Sequence, residues 1–237
     1  MNEKQTQQRI ADNWHFVEQK VRQAAIDSER NPESVRIIGV SKYVDEVLTR
    51  ALTQAGCRDL GESRPQVLWQ KAESMLDVEP LAWHIIAHLQ RNKVRRSLRC
   101  SPLIHSVDSK RLLEAIAEEA MLQGSRVQVL LEVNISGDEA KTGFLPEEIN
   151  AVLDSSPQEG VEVRGLMAMA GWGTDPDAAR RQFEKTRDLR DQLQSATGRN
   201  LPELSMGMSG DYQQAIRAGA TMVRIGSVLF EGVIDRK

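Results

Sequence analysis

Cysteine is almost missing from this chain. Cys57 and Cys100 are the only two in 237 residues. They make neither a disulfide framework nor a close metal-binding pair, and they fit a reducing compartment. Aromatic residues are scarce too, at 4%, with two tyrosines and four scattered tryptophans. That leaves no stacking surface interleaved with basic residues, as single-stranded nucleic acid would need. Positive charge is not in excess: 31 Lys and Arg against 34 Asp and Glu give a net charge of −3, so a polyanion meets no general attraction. No apolar run reaches membrane-spanning length, and Met1 to Asp12 is polar, without the apolar core of a secretory leader. What is present is 40% hydrophobic residues, enough for a sizeable core, in a length that suits one (β/α)8 barrel. The expectation is a soluble cytoplasmic α/β protein that binds neither membrane nor nucleic acid. No linker, second domain or low-complexity segment divides residues 1–237.

Hydrophobic periodicity sets out the elements. Residues 3–29 read as a helix with Trp14, Val17, Val21, Ala24 and Ala25 on one face, ended by Asn31-Pro32. Strands are expected at 36–42, 57–62, 81–87, 103–107, 127–135, 161–169, 203–208 and 221–225. Helices are expected between them at 45–55, 65–75, 90–98, 108–123, 146–153, 177–196 and 211–218, the fourth of these capped by Asp108 or Ser109. Such alternation calls for parallel strands joined by right-handed crossovers. With eight units the leading solution is a single closed TIM-type barrel behind an N-terminal helix; a doubly wound open sheet is the alternative.

The first strand, Arg36-Ile-Ile-Gly-Val-Ser41-Lys42, ends abruptly in a lysine. A lysine at the C-terminal end of a barrel strand, against apolar neighbours, can act as a nucleophile toward aldehydes; the plainer alternative is a lysine opening a surface loop. Late in the chain, Ser205-Met-Gly-Met-Ser209-Gly210-Asp211 follows strand seven and Arg224-Ile-Gly226-Ser227 closes strand eight. Barrels often bind phosphate with these two loops. Glycines let backbone N–H groups approach phosphate oxygens, and Ser209, Ser227 and Arg224 add donors; the alternative is two ordinary turns. Strand one lies beside strand eight in a barrel, so cradle and lysine would face each other. A phosphorylated aldehyde fits that arrangement, and pyridoxal 5'-phosphate (PLP) is the commonest. Arg224 is open to two roles, pairing with phosphate or facing the pyridine nitrogen and disfavouring its protonation. Asp211 is expected to cap a helix or order its loop. Met167 and Met169 are expected in the core. His84 and His88 have zinc-like spacing but sit in a strand without a third ligand. The basic run Arg91–Arg99 suits a solvated helix face.

Taken together, these segments resemble the pyridoxal phosphate homeostasis proteins, the YggS/PROSC family. The likeness rests on Val40-Ser-Lys42, Leu60-Gly-Glu62, Trp83-His-Ile-Ile86, Leu89-Gln-Arg-Asn-Lys93, Ser106-Val-Asp-Ser109, Lys141-Thr-Gly143, Arg164-Gly-Leu-Met167, Leu204-Ser-Met-Gly-Met-Ser209 and Val223-Arg-Ile-Gly226. It runs in order from about residue 35 onward. The resemblance implies a fold-type III PLP-binding barrel similar to the N-terminal domain of alanine racemase, with PLP as a reversible Schiff base on Lys42. It further implies phosphate contacts from Ser209, Gly210, Gly226 and Ser227, and Arg224 at the pyridine nitrogen. A carrier without robust turnover is implied, a monomer that supplies PLP-accepting apoenzymes; the runner-up is an amino-acid racemase or other low-activity PLP enzyme. A racemase would draw an opposing base from a second domain, and the chain ends soon after strand eight with Tyr43 and Tyr212 its only tyrosines. Departures from the family pattern are Ser63 for asparagine, Ala87 for glycine, Gly171-Trp172 where the family varies, Ser227 for threonine and Phe230-Glu-Gly232 for Phe-Gly.

Overall fold

A computed structural model describes residues 1–78, 80–138, 141–156, 159–171 and 173–234; Trp172 lies outside them. Its parallel strands are β1 (Arg36–Val40), β2 (Asp59–Glu62), β3 (Ala82–Ile85), β4 (Leu103–Val107), β5 (Val127–Val133), β6 (Val161–Ala168), β7 (Glu203–Met208) and β8 (Met222–Ile225). They close in chain order, with β8 returning to β1, so the open-sheet alternative is excluded. Outside run α1 (Glu3–Ile26), α2 (Glu46–Gln54), α3 (Pro65–Ser74), α4 (Arg91–Ser97), α5 (Lys110–Leu122), α6 (Ile149–Asp154), α7 (Pro176–Thr197) and α8 (Tyr212–Arg217).

Boundaries shift for local reasons. α1 stops at Ile26 because Glu29 turns left-handed (φ 55°) and Arg30 N–H bonds back to Ala25 O. Asn31 then caps a short 3-10 turn over Pro32–Ser34, its Oδ1 accepting from Glu33 N–H. The helix expected at 146–153 splits into a 3-10 turn at Pro146–Glu148 followed by α6. Ser109, not Asp108, caps α5 by accepting from Leu112 N–H.

Two kinks in the strands carry glycines that no other residue replaces. The β5–β6 register shifts between Val129 and Leu130, opposite Gly165 (φ 154°); a Cβ there would lie 1.9 Å from Glu203 O. The β7–β8 register shifts between Ser205 and Met208 around Gly207 (φ 88°), where a Cβ would lie 2.6 Å from Ala215 Cβ. The second kink re-aims the end of β7 toward the barrel mouth.

α1 packs against both α2 and α8, which is the seat a helix after β8 would take. Its apolar stripe, Ile10, Trp14, Val17 and Val21, is buried. Asn13 Nδ2 donates to Leu229 O (3.2 Å) and Glu231 O (3.0 Å), tying the helix to the turn beyond β8. Among the described residues no helix is long and apolar enough to cross a membrane.

Gly165→Ala meets both a forbidden backbone angle and a backbone oxygen. It is expected to cost roughly 3 kcal/mol, read as a lower midpoint in urea unfolding followed by circular dichroism.

Candidate functional site

β1 and β8 run side by side, Ile38 opposite Arg224 and Gly39 opposite Ile225. The chain therefore leaves both strands at one point of the C-terminal rim. Lys42, Ser209, Gly210, Arg224, Gly226 and Ser227 all line a single cavity of 460 Å³ there, a volume within the ~300–1,000 Å³ of small-molecule sites. Val40, Ile86, Phe230 and Ile234 supply apolar wall. Met167 is buried in the core as expected and also touches the cavity, whereas Met169, just past the end of β6, is only half-buried and is wall.

Lys42 is half-buried, with Nζ 4.8 Å from the Tyr43 ring centroid. Among the described residues it makes no hydrogen bond or ion pair. Its backbone is held by the residue before it. Ser41 is fully buried; its Oγ donates to Glu62 Oε1 (2.7 Å) and its carbonyl accepts from Lys71 Nζ (2.9 Å). Lys71 Nζ lies 2.5 Å from Glu62 Oε1, and both side chains are buried. A buried ion pair thus anchors the turn that presents Lys42.

The two late loops are stitched together. Ser209 Oγ accepts from Gly226 N–H (3.3 Å), and Asp211 Oδ1 accepts from Met208 N–H (2.6 Å). Asp211 makes no helix-capping bond, so of its two expected tasks it performs loop ordering, and burial pushes its carboxyl up. A Cβ on Gly226 would press on Val40 Cβ at 3.2 Å, whereas one on Gly210 would meet nothing within 4 Å. Gly226 serves the close approach of β1; Gly210 leaves the mouth open.

Arg224 is buried and points into the barrel. Nη1 donates to Ser205 O (2.8 Å) and Ser205 Oγ (2.7 Å), and Nη2 to Ala168 O (3.3 Å). Burial lowers its pKa to about 10, against the attraction of Asp211 and Glu132, so it is a cation at neutral pH. Beneath it runs a chain of polar groups that the strand patterns did not announce. His105 Nδ1 meets Ser205 Oγ at 2.8 Å, His84 Nδ1 meets His105 Nε2 at 2.9 Å, and His84 Nε2 meets Asp59 Oδ1 at 3.1 Å. Burial first, then the neighbouring charges, hold His105 well below its ordinary pKa. Asp59 closes one end of the series and Arg224, which only donates, closes the other. The clue in sequence is a polar side chain at the centre of apolar runs on β3, β4 and β7.

Two further pairs reach the mouth. Glu132 is pushed up by burial, opposed by the hydrogen bond from Thr142 Oγ1 (2.7 Å). His88 Nδ1 lies 2.6 Å from Asp108 Oδ2. His84 and His88 therefore diverge, one into the core and one to the rim. Among the described residues no group of three or more His, Cys, Asp or Glu could hold a metal ion.

Comparison with known proteins finds likeness over most of the chain. The family model described as alanine racemase, N-terminal domain, matches residues 8–232. The pyridoxal phosphate homeostasis protein of Aquifex aeolicus is 37% identical, covering 90% of this chain and 93% of its own. A solved structure of PipY from Synechococcus elongatus with PLP bound is 33% identical, with TM-score 0.80 over 93% of this chain and 99% of that one. An unknown protein from Bifidobacterium adolescentis is 34% identical, with TM-score 0.87 over 95% of this chain and 96% of that one. D-threonine aldolase from Filomicrobium marinum, at 16% identity and TM-score 0.72, shares the fold.

Two measurements test the supports. Lys71→Met strands a buried carboxylate and is expected to cost roughly 3–5 kcal/mol in denaturant unfolding, part of it recovered by adding Glu62→Gln. For His105 the sign is set by its depressed pKa. Below its unfolded value the unfolded chain binds a proton that the folded protein refuses. Stability is therefore lost as pH falls through ~6.5, by up to ~1.4 kcal/mol per pH unit. His105→Gln should flatten that slope between pH 7 and pH 5.

Proposed function

Since the chain belongs to the alanine racemase N-terminal-domain family and, within it, to the pyridoxal phosphate homeostasis proteins, we propose that it binds pyridoxal 5'-phosphate in the rim cavity and serves intracellular PLP homeostasis. The observation that carries this reading is the meeting, in one cavity, of an unpaired Lys42, the stitched Ser209–Gly210 and Gly226–Ser227 loops, and a buried cation. The donor set fits the group: hydroxyls and glycine backbone for a phosphate, an amine for an aldehyde, and a guanidinium for a ring nitrogen.

When bound, PLP supplies an aldehyde that condenses with amines and a ring that withdraws electrons. The chain's residues then act as follows. Lys42 is the Schiff-base lysine. Ser209, Gly210, Gly226 and Ser227 hold phosphate. Arg224, already spent on Ser205 and Ala168 inside the barrel, would face the ring nitrogen in preference to the phosphate. Carrying donors only, it keeps that nitrogen unprotonated and weakens the electron sink. Of the two tyrosines that a racemase could use as its second base, Tyr43 lines the cavity but is 77% exposed, and Tyr212 is not among the described residues that line it. The reading further takes the protein as a cytoplasmic monomer that passes cofactor to PLP-accepting apoenzymes, consistent with Cys57 and Cys100 as free thiols.

The test is the visible spectrum of the purified protein before and after borohydride, beside Lys42→Ala. A violet absorption band, with mass added by borohydride to the peptide containing Lys42 and none added in the variant, is the expected result. A protein that stays colourless and unmodified after added PLP would overturn the reading.

A further inference from the structure

The mouth of the cavity carries one side chain suited to moving protons that neither the phosphate loops nor Arg224 requires. His88 stands in the loop after β3, and its side chain is 59% exposed, while its partner Asp108, just past β4, is 7% exposed. The 2.6 Å contact to Asp108 occupies Nδ1. An ionised carboxylate only accepts, so the contact is served by a proton on Nδ1, and Nε2 is the ring nitrogen left to take up and give back a proton. Among the described residues Nε2 has no partner, and the ring lines the same cavity as Lys42. Glu132 is close enough for both His88 and Asp108 to act on its charge, so the charged groups facing the imidazole are Asp108, Glu132 and Lys42.

Position in the barrel gives this pair its task. In a closed ring of eight strands, β3 and β4 lie across from β7 and β8. A phosphate over the β7 and β8 loops and a covalent bond to Lys42 after β1 leave the β3–β4 wall facing whatever approaches. We propose that His88, oriented by Asp108, is the proton-transfer residue for exchange of the cofactor between Lys42 and an incoming primary amine. The proposal rests on the PLP reading. The incoming amine arrives as an ammonium and gives one proton to His88 Nε2. Its nitrogen, then carrying two hydrogens, would add to the carbon that Lys42 holds; His88 would pass the first proton to Nζ, take a second from the incoming nitrogen as that nitrogen takes over the double bond and the bond to Nζ breaks, and give it to Nζ as well, so that two protons leave the incoming nitrogen and two arrive on Lys42. One carbon–nitrogen bond forms and one breaks, with no net gain or loss of protons and no redox change. Asp108 supports the imidazolium formed in between, as a buried carboxylate behind a histidine does.

A proton-transfer group speeds loading and unloading alike and leaves the equilibrium where it was. The experiment uses the PLP-loaded full chain mixed with excess ethylamine and followed by stopped-flow absorbance. Borohydride labelling of Lys42 before mixing reports the cofactor reading on its own. His88→Gln is expected to slow exchange ~10²-fold, within the ~10²–10⁴ typical of acid–base groups, with PLP content at equilibrium unchanged. His88→Gly should recover much of the lost rate in added imidazole, and Asp108→Asn should slow exchange to a lesser degree. Exchange in His88→Gln at the wild-type rate would overturn the proposal. So would loss of PLP from that variant at equilibrium, which would make His88 a binding residue. A wild type that borohydride does not label at Lys42 would sink the cofactor reading and this proposal with it.

Discussion

Closure of the barrel through β1 and β8 is the constraint on which everything else depends. About 180 residues separate Lys42 from Arg224 in sequence, and only the return of the last strand to the first makes them neighbours. The register then decides the chemistry. Because side chains alternate along a strand, a slip of one residue would turn Arg224 out of the barrel. Gly39 guards the same junction, since a Cβ there would sit 2.6 Å from Cys57 Sγ. Packing behind β1 and chemistry in front of it are set by one alignment.

Within that frame the polar groups are arranged by depth. At the floor, Asp59, His84, His105, Ser205 and Arg224 form a continuous series of hydrogen bonds. Half-satisfied, such a series would be worse than an apolar core; complete, it fixes a unique arrangement. Beside the mouth, Lys71 and Glu62 hold the Ser41 backbone. Desolvating two charges makes that pair a poor source of stability. Its worth lies in where it puts the next residue, Lys42. At the rim, groups that must meet solvent and ligand, His88 and Lys42, are the more exposed ones.

Much of this was legible in the sequence because periodicity and punctuation are local signals. Eight alternating units gave the barrel, and β4 and β7 fall where the apolar runs do. The lysine ending strand one and the Gly/Ser loops after strands seven and eight marked the cavity because backbone-binding loops must spend glycine visibly. The hidden parts are those that depend on partners far apart in the chain. His105 reads as a residue in an apolar strand until Ser205, 100 positions later, is beside it. Lys71 looks like one more charge on a helix until the helix is docked over Ser41. Asp108 looked as good a cap as Ser109; only the fold reveals that it faces a histidine. Met169 shared its strand's apolar pattern, and nothing local tells a barrel's core from its mouth.

Among the described residues, the first helix takes the place beside α2 and α8 that a helix after β8 would fill. On the ribosome that substitution imposes a wait. α1 emerges first, but its seat includes α8 and the carbonyls of Leu229 and Glu231, which are made about 200 residues later. At ~5–20 residues per second the delay is roughly 10 to 40 s. For that time Ile10, Trp14, Val17 and Val21 have only the α2 side of their seat, so a stretch made early is completed late.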